Sequence, residues 1–218
     1  MDAWPALLER AVARHGGWES WRALQTIDLR LLDLGGPLPF LKGVGKTFRP
    51  PETVRVWPHR QRVLFDGSDT YDGTATAHRA TFRGLRKLRR WSRADACYFF
   101  GYSLVTYLSL PFVLADCRFV RMRRWRDLDG ATVDFPDGFI THSRRQSFFF
   151  DRDGLLLRHD YTADVVGRWA KGSHFSSDYV TVSGMPFARR RRVVATLFGH
   201  PTPLPVLAAD LDGFAVDA

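Results

Sequence analysis

Four polar side chains, His142, Gln146, Arg158 and Asp160, are of the types that build proton-transfer and anion-binding sites. They flank a strong turn signal, Asp151-Arg152-Asp153-Gly154. With Gly154 in the left-handed position of a three-residue hairpin loop, Asp151 pairs with Leu155. Phe150 then opposes Leu156, Phe148 opposes Arg158, and Gln146 opposes Asp160. Strand alternation puts His142, Gln146, Phe148, Leu156, Arg158 and Asp160 on one face. A few polar groups among aromatic and aliphatic neighbours are the usual lining of a small-molecule site. Asp160 would orient the imidazole of His142, and His142 would act as acid or base. Arg158 would hold a carboxylate, enolate or phosphate in its fork of donors. The blander reading of the same residues is a structural Arg158–Asp160 pair, with His142 hydrogen-bonded in the core. Everything here depends on register, because a slip of one residue reverses the face. In this register His159 points away from His142.

Other candidates are weaker. His174 sits in Gly172-Ser173-His174-Phe175, and with His142 and His159 it makes a set of three histidines. Their separations match no metal-ligand spacing, so no metal is expected. Gly43-Val44-Gly45-Lys46-Thr47 ends like a phosphate loop, but the first glycine of that pattern would stand at position 40, which is Phe40. There is no G-x-S-x-G elbow, and neither cysteine has a base beside it in sequence. No cofactor is expected. Tyr71-Asp72-Gly73 and His78 read as a turn. Tyr98, Phe99, Phe100, Tyr102, Tyr107 and Phe112 form an aromatic stripe that is more often core than ligand lining. A helix packed into a curved sheet nevertheless lines whatever space remains. The candidate ligand contacts are therefore Gln146, Phe148, Leu156, Phe100, Tyr102, Tyr107, Phe112 and His174.

The elements that must position these residues are mostly strands. Residues 4–14 carry Leu7, Leu8, Ala11 and Val12 at helical spacing, with Gly16 and Gly17 available as a stop. A short helical turn follows at Trp18–Ala23. Leu24–Leu34 alternates, with Ile27, Leu29 and Leu31 on one face. Further strands are expected at Val44–Arg49, Glu52–Pro58, Gln61–Asp66 and Thr70–Asp72. A helical insertion over 81–115, broken near Pro111, interrupts them. Strands resume at Arg118–Asp127 and Ala131–Phe135, joined through Asp127-Leu128-Asp129-Gly130. Hairpins then span Phe139–Thr162 and Trp169–Leu197, the second turning near Ser183-Gly184-Met185-Pro186. The Pro-rich tail beyond Gly199 reads as an irregular strap. Helices segregated from a strand meander indicate an α+β, mainly β architecture rather than alternating βαβ. No linker divides the 218 residues, so one domain covering 1–218 is expected.

Composition narrows the function classes. Hydrophobic residues make up 45% and aromatics 14%, enough for a sizeable core. The uncharged run Cys97–Ala115 could just span a bilayer, but Gly101, Ser103, Thr106, Ser109 and Pro111 interrupt it, and a buried helix is the better reading. The start, MDAWPALLER, lacks a basic region followed by a long apolar one, which places the protein in the cytoplasm. Cys97 and Cys117 read as free thiols there. The net charge of +9 comes almost wholly from arginine, clustered at Arg83–Arg93, Arg121–Arg126 and Arg189–Arg192. Such clusters allow contact with a membrane surface or anionic ligands. No nucleic-acid motif accompanies them, and alternating arginines on strands usually form a solvated face, so nucleic acid is not an expected partner.

The opening A-x-x-x-H-G-G-x-x-x-W-x-x-L, followed by an alternating strand, resembles the start of the lipoprotein-localisation-factor (LolA/LolB/LppX-like) superfamily. The later D-x-D-G-L-L-x-R, then a tyrosine and a Gly-x-Pro-type turn, is similar as well. The resemblance implies a strongly curved antiparallel sheet, an incomplete barrel whose concave face is covered by helices and lined with hydrophobic residues. It implies binding of a hydrophobic or acyl-bearing small molecule. It also leaves open a cofactor-independent enzyme of the cyclase, isomerase or hydratase type, since a cytoplasmic enzyme of pigment biosynthesis uses a similar fold.

Overall fold

The structure, a computed structural model, describes residues 3–46, 48–73, 90–141, 143–164, 167–198 and 200–218. One antiparallel sheet of eleven strands dominates it, in the order β4-β3-β2-β1-β11-β10-β9-β8-β7-β6-β5. The strands are β1 (Thr26–Gly35), β2 (Glu52–Trp57), β3 (Arg62–Phe65), β4 (Asp69–Asp72), β5 (Arg118–Trp125) and β6 (Leu128–Asp134). They continue with β7 (Arg145–Phe150), β8 (Leu156–Thr162), β9 (Lys171–Val182), β10 (Met185–Leu197) and β11 (His200–Asp217). β4 and β5 are left as the two free edges, so the curved sheet is an incomplete barrel. Among the described residues four α-helices accompany it: α1 (Ala3–Arg14), α2 (Gly17–Ala23), α3 (Pro37–Lys42) and α4 (Arg93–Ser109).

The sheet order departs from a simple meander at one place, and the C-terminal tail is responsible. The tail is not an irregular strap. It is the longest strand, β11, inserted between β1 and β10. Its alternating Leu207, Ala209 and Leu211 turn toward the concave side. Pro201, Pro203 and Pro205 occupy its first half, where the β10 pairing is broken by register shifts and a missing donor does least harm. Insertion of β11 joins the N-terminal strands to the C-terminal ones and makes one sheet of two meanders.

α4 is the element that turns the sheet into a container. Ser92 caps it: Asp95 N–H donates to the Ser92 hydroxyl, and Ser92 N–H donates to the Asp95 carboxylate, a reciprocal box. Arg93 then clamps the helix start to the sheet. It donates to both oxygens of Glu52 on β2, the longer at 2.9 Å, and to Asp69 on β4 at 2.9 Å, with its guanidinium 4.4 Å from the Phe48 ring. Gly101 permits the close approach, because a Cβ there would overlap Cβ and Cγ of Tyr71. Nearly every side chain of α4 is buried, so its apolar stripe runs all the way round. The helix ends before Pro111 and continues as a 3-10 turn over Phe112–Asp116. No helix among the described residues is long and apolar enough to cross a membrane. The first part of the expected helical insertion lies outside the described residues.

Three local expectations are corrected. The described residues of Val44–Arg49 contain no strand: a 3-10 turn occupies Val44–Lys46, after the short helix α3, which Pro37 starts and Gly43 ends in the left-handed conformation. β6 begins at Leu128, not Ala131, because the turn is made by Arg126, with φ 54°, and Asp127. Gly130 is a strand residue, kept small by the Phe148 carbonyl, which a Cβ would strike. The third correction, to the register of the β7–β8 hairpin, decides where the site lies.

Candidate functional site

The Asp151–Gly154 loop closes as expected. Asp151 N–H donates to Leu155 O at 3.0 Å, Gly154 sits at φ 90°, and Phe150 pairs with Leu156. Immediately beyond, Leu157 is extra. Phe149 pairs with Arg158, Phe148 with His159 and Ser147 with Asp160. This one-residue bulge reverses the face of the rest of β8. The expected pairings of Phe148 with Arg158 and Gln146 with Asp160 therefore do not form. Arg158 and Asp160 lie on the convex side, opposite Gln146 and Phe148. His142 lies outside the described residues.

On the convex side Arg158 is only 2% exposed. It makes a bidentate pair with Asp160 at 2.7 and 2.8 Å and donates to Ser173 Oγ at 3.2 Å. The rings of Trp125 and Phe149 lie 4.3 and 5.1 Å from its guanidinium carbon. This arrangement ties β5, β7, β8 and β9 together; Asp160 takes the Nε–Nη2 fork, and Nη1 is left buried without an acceptor.

The bulge turns His159 inward instead. Its ring stacks on Phe148 at 4.5 Å and stands 4.8 Å from Tyr161. The Gln146 amide nitrogen donates to Ser143 O and Thr141 Oγ1, which leaves Gln146 Oε1 facing His159 Nε2. Nε2 must therefore carry the proton, and Nδ1 is left without a partner. Burial first, and the nearby Arg191 charge second, lower the His159 pKa to about 3.

Next to this cluster a cavity of about 530 Å³ opens between the concave sheet, α4 and α3. That volume lies in the usual range for small-molecule sites. Leu31, Val193, Leu207 and Leu211 form its sheet wall, and Phe99, Phe100 and Leu104 its helix wall. Leu41, Trp169 and Leu197 stand at its mouth, each largely exposed. Of the expected ligand contacts, Phe100, Tyr107 and His174 line this cavity. Gln146 and Tyr102 instead face a small neighbouring recess. Phe148 is core under His159, Leu156 borders another small recess, and Phe112 stacks on Trp21 at 4.6 Å.

Lys42 and Lys171 border the cavity, and the other polar groups of its wall are few. Ser103 Oγ donates to Phe99 O, and the Tyr107 and Tyr161 hydroxyls meet at 3.5 Å. His174 packs on the Tyr107 ring at 4.3 Å, and its Nε2 is buried without a hydrogen bond. Desolvation, then the Arg191 and His159 neighbours, hold it neutral. Arg191 itself is the feature that the sequence reading missed. It stood inside the run Arg189–Arg192, taken as a solvated face. On β10, however, it pairs with Ser176 and Ala209 and points inward with Val193, while Arg190 and Arg192 point outward. Two-residue periodicity applied to the run would have separated it from its neighbours. Among the described residues, no three or more His, Cys, Asp or Glu side chains are grouped to hold a metal ion.

No protein-family model matches the chain, and no curated protein matches it. Among solved structures it is similar to a LolA superfamily protein from Nitrosomonas europaea, with a TM-score of 0.49 at 10% identity over 98% of this chain and 93% of the other. It is also similar to a DUF1329 family protein from Desulfovibrio piger, with a TM-score of 0.50 at 14% identity over 100% of this chain and 94% of the other. At that identity the second likeness carries the fold alone.

Proposed function

We propose that the protein binds a hydrophobic or acyl-bearing small molecule in the cavity under α4. The observation that carries this reading is the cavity itself. It is lined mainly by leucine, valine and phenylalanine, and Leu41, Trp169 and Leu197 stand exposed at its mouth. Apolar surface of this kind gains free energy whenever a ligand displaces water from it, at roughly 25 cal/mol per Å² covered. The reading places the protein in the cytoplasm, which agrees with Cys97 and Cys117 both being free thiols.

The enzyme alternative is less well supported by the geometry. It required His142, Asp160 and Arg158 on the cavity face, and Arg158 and Asp160 are paired on the other side. The inward histidines have pKa values far below neutrality, so they are weak bases at pH 7.

Native mass spectrometry of protein purified from its own host tests the proposal, with the released molecule identified after denaturation. A hydrophobic adduct is expected, and Leu104→Trp, which fills the cavity from the α4 side, should remove most of it. Equal occupancy in Leu104→Trp would place the ligand elsewhere and refute the assignment. Conversion of the added ligand into a product of different mass would favour the enzyme reading.

A further inference from the structure

Arg191 is 7% exposed, and among the described residues no carboxylate pairs with it. Its neighbours in sequence each reach a carboxylate, although Arg189 Nε is itself without an acceptor. Arg189 and Arg190 reach Asp178 at 2.7 and 3.7 Å, and Arg192 reaches Asp210 at 2.8 Å. Arg191 Nε has no acceptor, and its guanidinium carbon lies 5.2 Å from the Tyr107 ring centre. Every titratable group facing it is neutral at pH 7. Burial raises the phenols of Tyr107 and Tyr179, and His159 and His174 are held unprotonated. The result is one buried, uncompensated positive charge in the wall of a largely apolar cavity, which Lys42 and Lys171 also border.

We infer that the cavity takes a monocarboxylate amphiphile of the long-chain fatty-acid type, with its carboxylate on the Arg191 fork and its tail running toward the mouth. The inference rests on the binding reading above and specifies its ligand. A planar guanidinium with free donors matches a carboxylate in geometry as well as in charge. His174, with an unpartnered Nε2 in the same wall, supplies a further donor in the tautomer that carries its proton there. One charge on the ligand suffices. A dianion would keep part of its charge uncompensated in a desolvated site, because among the described residues Arg191 is the one buried cation of the lining, Lys42 being half-buried and Lys171 exposed. The tail direction follows from β10. Leu197, at the mouth, lies six residues beyond Arg191, a span of about 20 Å at ~3.3 Å per residue. That is comparable to an extended long acyl chain.

The test compares hexadecanoate, its methyl ester and hexadecyl phosphate, titrated calorimetrically against wild type, Arg191→Met and Leu104→Trp after removal of any bound ligand. Wild type should prefer the acid over the ester by about tenfold or more, the scale of a charge-assisted hydrogen bond. It should also prefer the acid over the phosphate. Arg191→Met should lose that preference while still binding the ester, which shows the variant to be folded. Equal wild-type affinity for acid and ester would overturn the carboxylate assignment and leave the apolar cavity standing. Tighter binding of the phosphate would overturn the single-charge argument. If wild type binds none of the three, both the carboxylate assignment and the hydrophobic-binding reading fall. If Arg191→Met does not fold, the acid-to-ester ratio in wild type decides alone.

Discussion

Two buried arginines in this protein should respond to the same substitution with opposite sign. Arg191→Met replaces an unpaired cation by an apolar side chain of similar length. It relieves an unsatisfied buried donor, worth about 1–3 kcal/mol, and part of a desolvation cost that runs to several kcal/mol per buried ion. It gives up the attraction to the Tyr107 ring, about 0.5–2 kcal/mol, while methionine keeps most of the packing of the stem. The net expectation for ligand-free protein is stabilisation by about 1–3 kcal/mol. At roughly 2–4 °C per kcal/mol for a chain of this size, a gain of 2 kcal/mol raises Tm by about 4–8 °C. Arg158→Met also removes an unpartnered donor, Nη1, but it acts on an arginine that has Asp160, Ser173 and three aromatic faces. It leaves Asp160 without its partner and empties the space between the rings. Asp160 is partly exposed, so the loss is expected to be about 1–3 kcal/mol rather than the full cost of breaking a buried pair. Urea unfolding of protein stripped of ligand, followed by tryptophan fluorescence, measures both. Destabilisation of Arg191→Met by more than about 1 kcal/mol, at unchanged m-value, would refute the reasoning. It would mean that Arg191 is a structural group and not an unfilled receptor.

Acid should unfold the protein through its histidines. His15 is lowered to about 4 and His159 to about 3, mainly by burial, and His174 is lowered as well. Below pH 6.5 the unfolded chain takes up protons that the folded chain refuses. Stability therefore falls as pH drops from 6.5 toward 4, by about 1.4 kcal/mol per pH unit for each imidazole. A urea midpoint that stays flat from pH 7 to 4.5 would contradict this, and His159→Gln should make the slope shallower. Gly101→Ala gains about 1 kcal/mol of helix propensity but drives a methyl into Tyr71, at about 1–3 kcal/mol or more, so net destabilisation in urea is expected. Stabilisation would show that α4 sits farther from β4 than described. The reading of residues 1–218 as one domain predicts coincident unfolding by far-ultraviolet dichroism and tryptophan fluorescence. Two separated transitions would contradict it.

Most of the fold was legible because its signals are local. Alternation at Ile27, Leu29 and Leu31 marks β1, the Asp-x-Asp-Gly loop marks the β7–β8 hairpin, and Ser183-Gly184 marks the β9–β10 turn. The C-terminal strand was not legible, for an energetic reason. β11 contains three prolines near its start and three aspartates in its second half, a composition poor in strand propensity. It is a strand because two neighbours already present matching edges, and their pairing outweighs propensity. β1 contributes eight register pairs and β10 seven, with both ladders interrupted by shifts where the prolines and bulges fall.

The site turned on a single residue. Up to Leu156 the hairpin follows its turn chemistry, and a regular ladder would have carried Arg158 and Asp160 into the cavity. Leu157 has nothing in its type to mark it as extra, because a bulge of this kind is a property of the pairing and not of the residue. Its consequences can be argued from burial. A regular register would have put the paired ions Arg158 and Asp160 on the concave face beside Phe148, and left the His159 ring to solvent. The bulge puts the imidazole inside, where Gln146 and the rings of Phe148 and Tyr161 receive it. It puts the ions on the convex face, where they can pair and stack without emptying the cavity of apolar surface. The inward charge is then left to β10, whose unbroken alternation from Arg190 to Val193 sends one arginine of the run inside. A buried, unpaired cation facing leucine and phenylalanine, with its sequence neighbours all paired to carboxylates outside, is a costly arrangement for an empty container. It becomes favourable when the contents bring the carboxylate.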